Sequence, residues 1–140
     1  MDTGSLLVVA AVVTQATNDK EQVVPMLEQI AALPASVGTV DRLLADTGFF
    51  SGKYVAACEA AAVEPLSAVA RDEHHAGWRE RFTEPEPIPA DATPVARMAH
   101  RLKTKAGRTA YALRKQTVEP VFGIIKSVLG FRQFLLRGPD

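Results

Sequence analysis

A chain of 140 residues with 47% apolar and 23% charged side chains fits one ordinary domain and excludes a disordered chain. Its single cysteine, Cys58, excludes a disulfide framework and a cysteine zinc site, and fits a reducing cytosol. The formal net charge of zero hides a split: residues 1–92 hold 6 Lys/Arg against 14 Asp/Glu, a balance of −8, and residues 93–140 hold 10 against 2, a balance of +8. Either the C-terminal third meets a polyanion, nucleic acid above all, or it is a solvated basic face docked on an acidic body.

The first apolar run, LLVVAAVV, has no basic leader and is far shorter than the roughly 20 residues of a membrane span. No membrane partner is expected, and the location is expected to be cytoplasmic. Residues 5–14, SLLVVAAVVT, are dense in β-branched residues and predict a strand buried on both faces. Asn18 or Asp19 then caps a helix in which Val23, Val24, Leu27, Ile30 and Ala31 recur at helical spacing, with Pro25 in its first two turns. VDRLLA, residues 40–45, reads as a short strand ending in the glycine turn DTGFFSG. Ser51 caps a helix over 52–63, and PLSAVAR, residues 65–71, is a third strand. The order βαβαβ predicts an α/β layer with parallel strands.

That pattern then stops. Residues 73–92 are charged and proline-rich without a sustained period, which predicts a loop or insertion. Thr93 before Pro94 starts a helix of about 94–103; Gly107 interrupts; a second helix runs over about 108–129, kinked at Pro120 and closed by Gly130. The chain thus divides into an α/β part (1–72), an insertion (73–92) and a basic helical segment (93–140).

Two acids stand out. Asp46 falls where a buried strand should end, the place where ligands collect in open α/β sheets; its plainer role is to cap a turn. Glu119 precedes the helix proline, with Lys115 four residues before it and Lys126 seven after; its plainer role is a surface charge. Together they have the chemistry of a magnesium site, which takes hard oxygen ligands and keeps positions for water and phosphate. Two carboxylates are few for a two-metal site, so a third acid is expected. His74 and His75 read as exposed loop histidines and His100 as a surface residue of a basic helix, while Trp78 and Phe82 anchor the loop. No P-loop, dinucleotide fingerprint or hydrolase elbow occurs.

Two stretches carry a resemblance. LLADTGFFS resembles the motif around the second catalytic aspartate of DDE-type insertion-sequence transposases. YALRKQTVEPVFGIIKSVLGFRQFLLRG resembles their C-terminal Tyr–Arg–Glu–Lys signature. Tyr111 and Arg114 are separated by two residues and Glu119 and Lys126 by six. Arg114 lies one residue further from Glu119 than the usual pattern has it, and Lys115 restores that spacing. VTQATNDKEQVVPMLEQI resembles the stretch before the second aspartate.

The resemblance implies a partial ribonuclease-H-like fold with sheet order 3-2-1-4-5, in which residues 5–14 form strand 3, VDRLLA strand 4 and PLSAVA strand 5. Strands 1 and 2, with the first catalytic aspartate, would precede Met1. It also implies Asp46 and Glu119 as catalytic, metal-binding residues for Mg²⁺ or Mn²⁺, and Tyr111, Arg114, Lys115 and Lys126 as contacts to transposon-end DNA. The expected function is that of a fragment of a DNA transposase, inactive alone for want of one acid. The alternatives are a non-catalytic DNA-binding truncated transposase, or the product of a decayed gene. The expected protein partners are full-length transposase, with which a truncated chain could compete for transposon ends, and a second copy of the chain, because unpaired apolar strand edges are aggregation templates; LLVVAAVV could instead re-pair against strand 4 or 5.

Overall fold

The computed structural model describes residues 1–69 and 83–131. His74, His75, Trp78 and Phe82 lie outside the described residues, as do the end of the third predicted strand and the tail after Phe131. The described elements are α1 (Val23–Ala31), β1 (Arg42–Ala45), α2 (Gly52–Ala60), β2 (Glu64–Ser67), α3 (Pro94–Lys103) and α4 (Lys105–Gly123). A π-helical turn, Ile124–Val128, continues α4. No helix among the described residues is long and apolar enough to cross a membrane.

Local chemistry sets the helix ends. Ser51 accepts a hydrogen bond from the Tyr54 N–H at 3.0 Å, and Thr93 accepts one from the Ala96 N–H at 3.2 Å, with Pro94 in the first turn of α3. Each satisfies a donor that the first helical turn leaves orphaned. Asn18 accepts from the Lys20 N–H, but the turn it caps is a short 3₁₀ one, Asp19–Glu21, and α1 begins after it. Gly130 closes the last helix with φ +70°, the left-handed geometry glycine adopts without a Cβ clash.

The sheet consists of β1 and β2, paired in parallel with Arg42 opposite Glu64 and Ala45 opposite Ser67. α2 bridges the strands and buries Tyr54, Val55 and Cys58 against Val63, with Val23 and Leu27 of α1 and Met98 of α3 completing the core. Leu66 and Ser67 of β2 are also fully buried. The Tyr54 hydroxyl donates to the Leu43 carbonyl at 3.1 Å, so the one polar atom of this core ring is satisfied.

The predicted first strand does not form. Residues 5–14 enter no ladder; instead Asp2 N–H donates to Leu7 C=O and Leu6 N–H to Asp2 C=O, which closes a turn with Leu6 at φ +60°. A run of apolar β-branched residues has the propensity for a strand, but a strand exists only where a neighbour meets its N–H and C=O groups. Among the described residues no neighbour is presented to this run. The expected βαβαβ order is therefore αβαβ, followed by two helices.

Gly107 also differs from its reading as an interruption. It is buried in the first turn of α4, where its backbone packs against the end of α3. A Cβ there would stand 1.9 Å from the Arg101 carbonyl oxygen. Thr104 alone separates the two helices; it caps α4 by accepting from the Gly107 N–H at 3.0 Å and donates to the Arg101 carbonyl at 2.8 Å. The described end of the proline-rich segment docks on this corner, with Glu84 accepting from the Lys105 N–H at 2.8 Å and the Glu86 carbonyl 2.7 Å from His100 Nε2. Pro120 does not end α4; the ladder instead loosens into the π turn just beyond it.

Candidate functional site

Asp46 follows the last residue of β1 and caps the 3₁₀ turn Thr47–Phe49, its carboxylate accepting from the Thr47 N–H at 2.7 Å. The capping role read from the sequence is therefore present. Its side chain remains 59% exposed, leaving the second carboxylate oxygen open to other partners.

α4 passes across the end of β1. Tyr111 fixes that crossing: its hydroxyl donates to the Ala45 carbonyl at 3.2 Å, one residue before Asp46. Arg114, one turn along α4, lies over the Tyr111 ring at 5.4 Å from its centroid. The (i, i+3) spacing puts both on the face turned to the sheet.

Arg114 joins the two acids. Its Nη1 is 3.5 Å from Asp46 Oδ1 and its Nη2 is 3.4 Å from Glu119 Oε1. Two carboxylates far apart in sequence thus converge on one guanidinium. Both contacts are longer than a tight charge-assisted hydrogen bond, which runs at about 2.7–2.9 Å. The Arg114 side chain is 19% exposed, and its Nε is buried without a partner among the described residues. A buried unmet donor costs about 1–3 kcal/mol, which the two ion contacts and the Tyr111 ring offset.

The other predicted residues separate from this group. Lys115 and Lys126 are exposed, and the Lys126 ammonium lies 5.8 Å from the Phe122 ring centroid. Of the two candidates for one signature position, Arg114 faces the carboxylates and Lys115 faces solvent. The sequence reading missed the bridging position of Arg114. The signal that carried it was the Tyr111–Arg114 spacing, which places the guanidinium on the sheet side.

Several basic residues of the C-terminal third are internally paired. Arg97 contacts Glu59 at 3.0 Å, and Arg101 contacts Glu64 at 2.8 Å, where Glu64 also pairs with Arg42. These pairs hold α3 to α2 and β2, as a basic face docked on an acidic body would. Lys103, Lys105, Lys115 and Lys126 are exposed and make no ion pair among the described residues.

Asp46 and Glu119 are hard oxygen donors, and the guanidinium of Arg114 stands between them, where a cation would have to displace it or sit beside it. No group of three or more His, Cys, Asp or Glu able to hold a metal lies among the described residues.

Searches of curated proteins and of solved structures return no match. The family model of the transposase DDE domain matches residues 1–140, the full sequence. The chain belongs to the transposase DDE domain family.

Proposed function

We propose that this chain binds DNA and one divalent cation as part of a transposase catalytic core, and that by itself it does not cut DNA. The observation that carries the reading is the convergence of Asp46 and Glu119 on Arg114. In this reading Asp46 and Glu119 hold Mg²⁺ or Mn²⁺, which when bound would polarise a phosphodiester oxygen. Arg114 balances the two negative charges and draws both carboxylates to one place. Tyr111 fixes α4 against the end of β1, so that Glu119 is presented beside Asp46. Lys103, Lys105, Lys115 and Lys126 meet backbone phosphates, which position DNA without reading its sequence.

A non-catalytic DNA-binding role is favoured for the isolated chain by the same site. Two carboxylates hold one ion, and in-line displacement at a phosphodiester draws on a pair of ions about 3.5–4 Å apart. Both the attacking and the leaving oxygen need stabilisation, and this site serves one of them.

Fluorescence anisotropy of a labelled duplex across a salt series tests the binding. Affinity should fall with salt at a log–log slope near −0.9 per phosphate contact, and replacing the four lysines by alanine should flatten that slope by about 3–4. Glu119→Gln should leave the slope unchanged. Salt-independent binding, or none, overturns the DNA reading. Robust cleavage with Mg²⁺ or Mn²⁺ that Glu119→Gln abolishes overturns the inactivity.

A further inference from the structure

Charge is divided across one narrow seam. Residues 83–92, the described end of the proline-rich segment, hold Glu84, Glu86 and Asp91 and no Lys or Arg. Residues 94–108, which form α3 and the first turn of α4, hold five Lys/Arg and His100 and no acid. The first stretch lies along the second as a strap. The Ala92 carbonyl accepts from Arg97 Nη1 at 3.0 Å, the Glu86 carbonyl lies 2.7 Å from His100 Nε2, and the Glu84 carboxylate accepts from the Lys105 N–H at 2.8 Å. The contacts step back along the strap as they step forward along the helices, so the strap runs antiparallel to α3 and reaches the corner at Thr104.

None of residues 83–92 is buried, so the strap is held by polar contacts rather than by apolar burial and sits at the low-stability end of the structure. Pro85, Pro87 and Pro89 fix their φ at about −65° and bias Glu84, Glu86 and Ile88 to extended backbone, which keeps the ordering cost of docking low. Lys103 and Lys105 flank Thr104, are exposed and make no ion pair among the described residues. Glu84 brings its carboxylate to this corner and places it on a backbone N–H of the first turn of α4. A carboxylate and a phosphate oxygen compete for such a donor, since both are anionic acceptors.

We propose that residues 84–91 are a tethered competitor of DNA: Glu84 holds the corner between α3 and α4 that a backbone phosphate would take, and a bound duplex lifts the strap from it. The proposal rests on the reading of the exposed lysines as phosphate contacts, and it adds that the free chain restrains its own binding. A carboxylate that only caps α4 would stay in place when DNA binds, leaving a negative charge beside the phosphates. A competitor leaves, and the Glu86–His100 contact goes with it.

Anisotropy titrations of a labelled duplex with the full chain, Glu84→Gln and Glu28→Gln test it. Glutamine keeps an acceptor for the Lys105 N–H and removes the charge. Glu28, exposed on α1 and in no ion pair among the described residues, controls for net charge. At about 50 mM salt Glu84→Gln should bind about threefold tighter or more, Glu28→Gln should match the wild type within about 1.5-fold, and the gain should shrink as salt rises. Heteronuclear NOEs of the Glu84 and Glu86 amides should be those of ordered backbone in the free wild type and should fall at DNA saturation. Equal affinities of the wild type and Glu84→Gln, or a gain that Glu28→Gln shares, overturn the proposal and leave the DNA reading intact. So do Glu84 and Glu86 NOEs that stay high in the complex. Duplex binding by neither protein overturns both readings. Should Glu84→Gln unfold, the wild-type NOEs decide alone.

Discussion

The Tyr111 hydroxyl donates to the Ala45 carbonyl, tying the middle of α4 to the last residue of β1. Tyr111→Phe removes that single bond and keeps the ring beneath Arg114. A net loss of about 1 kcal/mol is expected, the usual worth of one such bond. Urea unfolding of the two proteins measures it. Unchanged stability would mean that the hydroxyl finds water at no cost and does not fix the crossing.

Arg114 sits between Asp46 and Glu119 as a positive charge. Arg114→Ala should therefore strengthen Mn²⁺ binding several-fold, because a unit charge at about 4 Å counts for roughly 1 kcal/mol in a water-like surround. Electron paramagnetic resonance of free Mn²⁺ gives the affinity directly. Asp46→Asn added to Arg114→Ala should remove the gain. Weaker binding in Arg114→Ala would show that the arginine holds the carboxylates together more than it competes for them.

Two glycines of α4 should respond oppositely to alanine. At Gly107 the added Cβ meets the Arg101 carbonyl, which is backbone and cannot step aside. Gly107→Ala should cost about 3 kcal/mol or more. At Gly123 no atom lies within 4 Å of the added Cβ, and the residue is exposed. Gly123→Ala should stabilise by about 0.5–1 kcal/mol through the unfolded chain. Thermal melts of both variants check the pair of signs.

Burial pushes the Cys58 thiol up from 9.0 to about 11 and raises the Tyr54 phenol as well. Below pH 9.0 both folded and unfolded thiols keep their proton, and the shift contributes nothing. Between 9.0 and about 11 the unfolded thiol loses its proton while the folded one keeps it, so stability falls as pH rises. Cys58 alone accounts for about 2–3 kcal/mol of this loss. Urea midpoints across that range should decline, and Cys58→Ala should decline less, leaving the Tyr54 share. Native Cys58, with no exposed surface, should also resist alkylation until the chain unfolds.

The elements legible in the sequence are those whose cause is local. Ser51, Thr93 and Gly130 act on backbone groups within a few residues, and each lies where the pattern put it. That residues 5–14 stay out of the sheet was not legible, because strand formation is decided by a neighbour and not by the run itself. Gly107 was misread for a related reason: a glycine that admits another helix's backbone resembles, in sequence, one that breaks its own. At the site, Asp46 and Glu119 could be picked out as residue types, but their meeting on Arg114 depends on how α4 crosses β1. The Tyr111 bond that sets the crossing spans 66 positions.

The corner at Thr104 has a mechanical meaning. With one residue between α3 and α4, and the backbone of Gly107 seated on Arg101, the two helices are packed against each other at their junction. They form a bent lever. One arm is pinned through Arg97 to Glu59 and through Arg101 to Glu64, and the other carries Arg114 and Glu119. The placing of Arg114 and Glu119 relative to Asp46 therefore depends partly on a joint outside the carboxylate group itself.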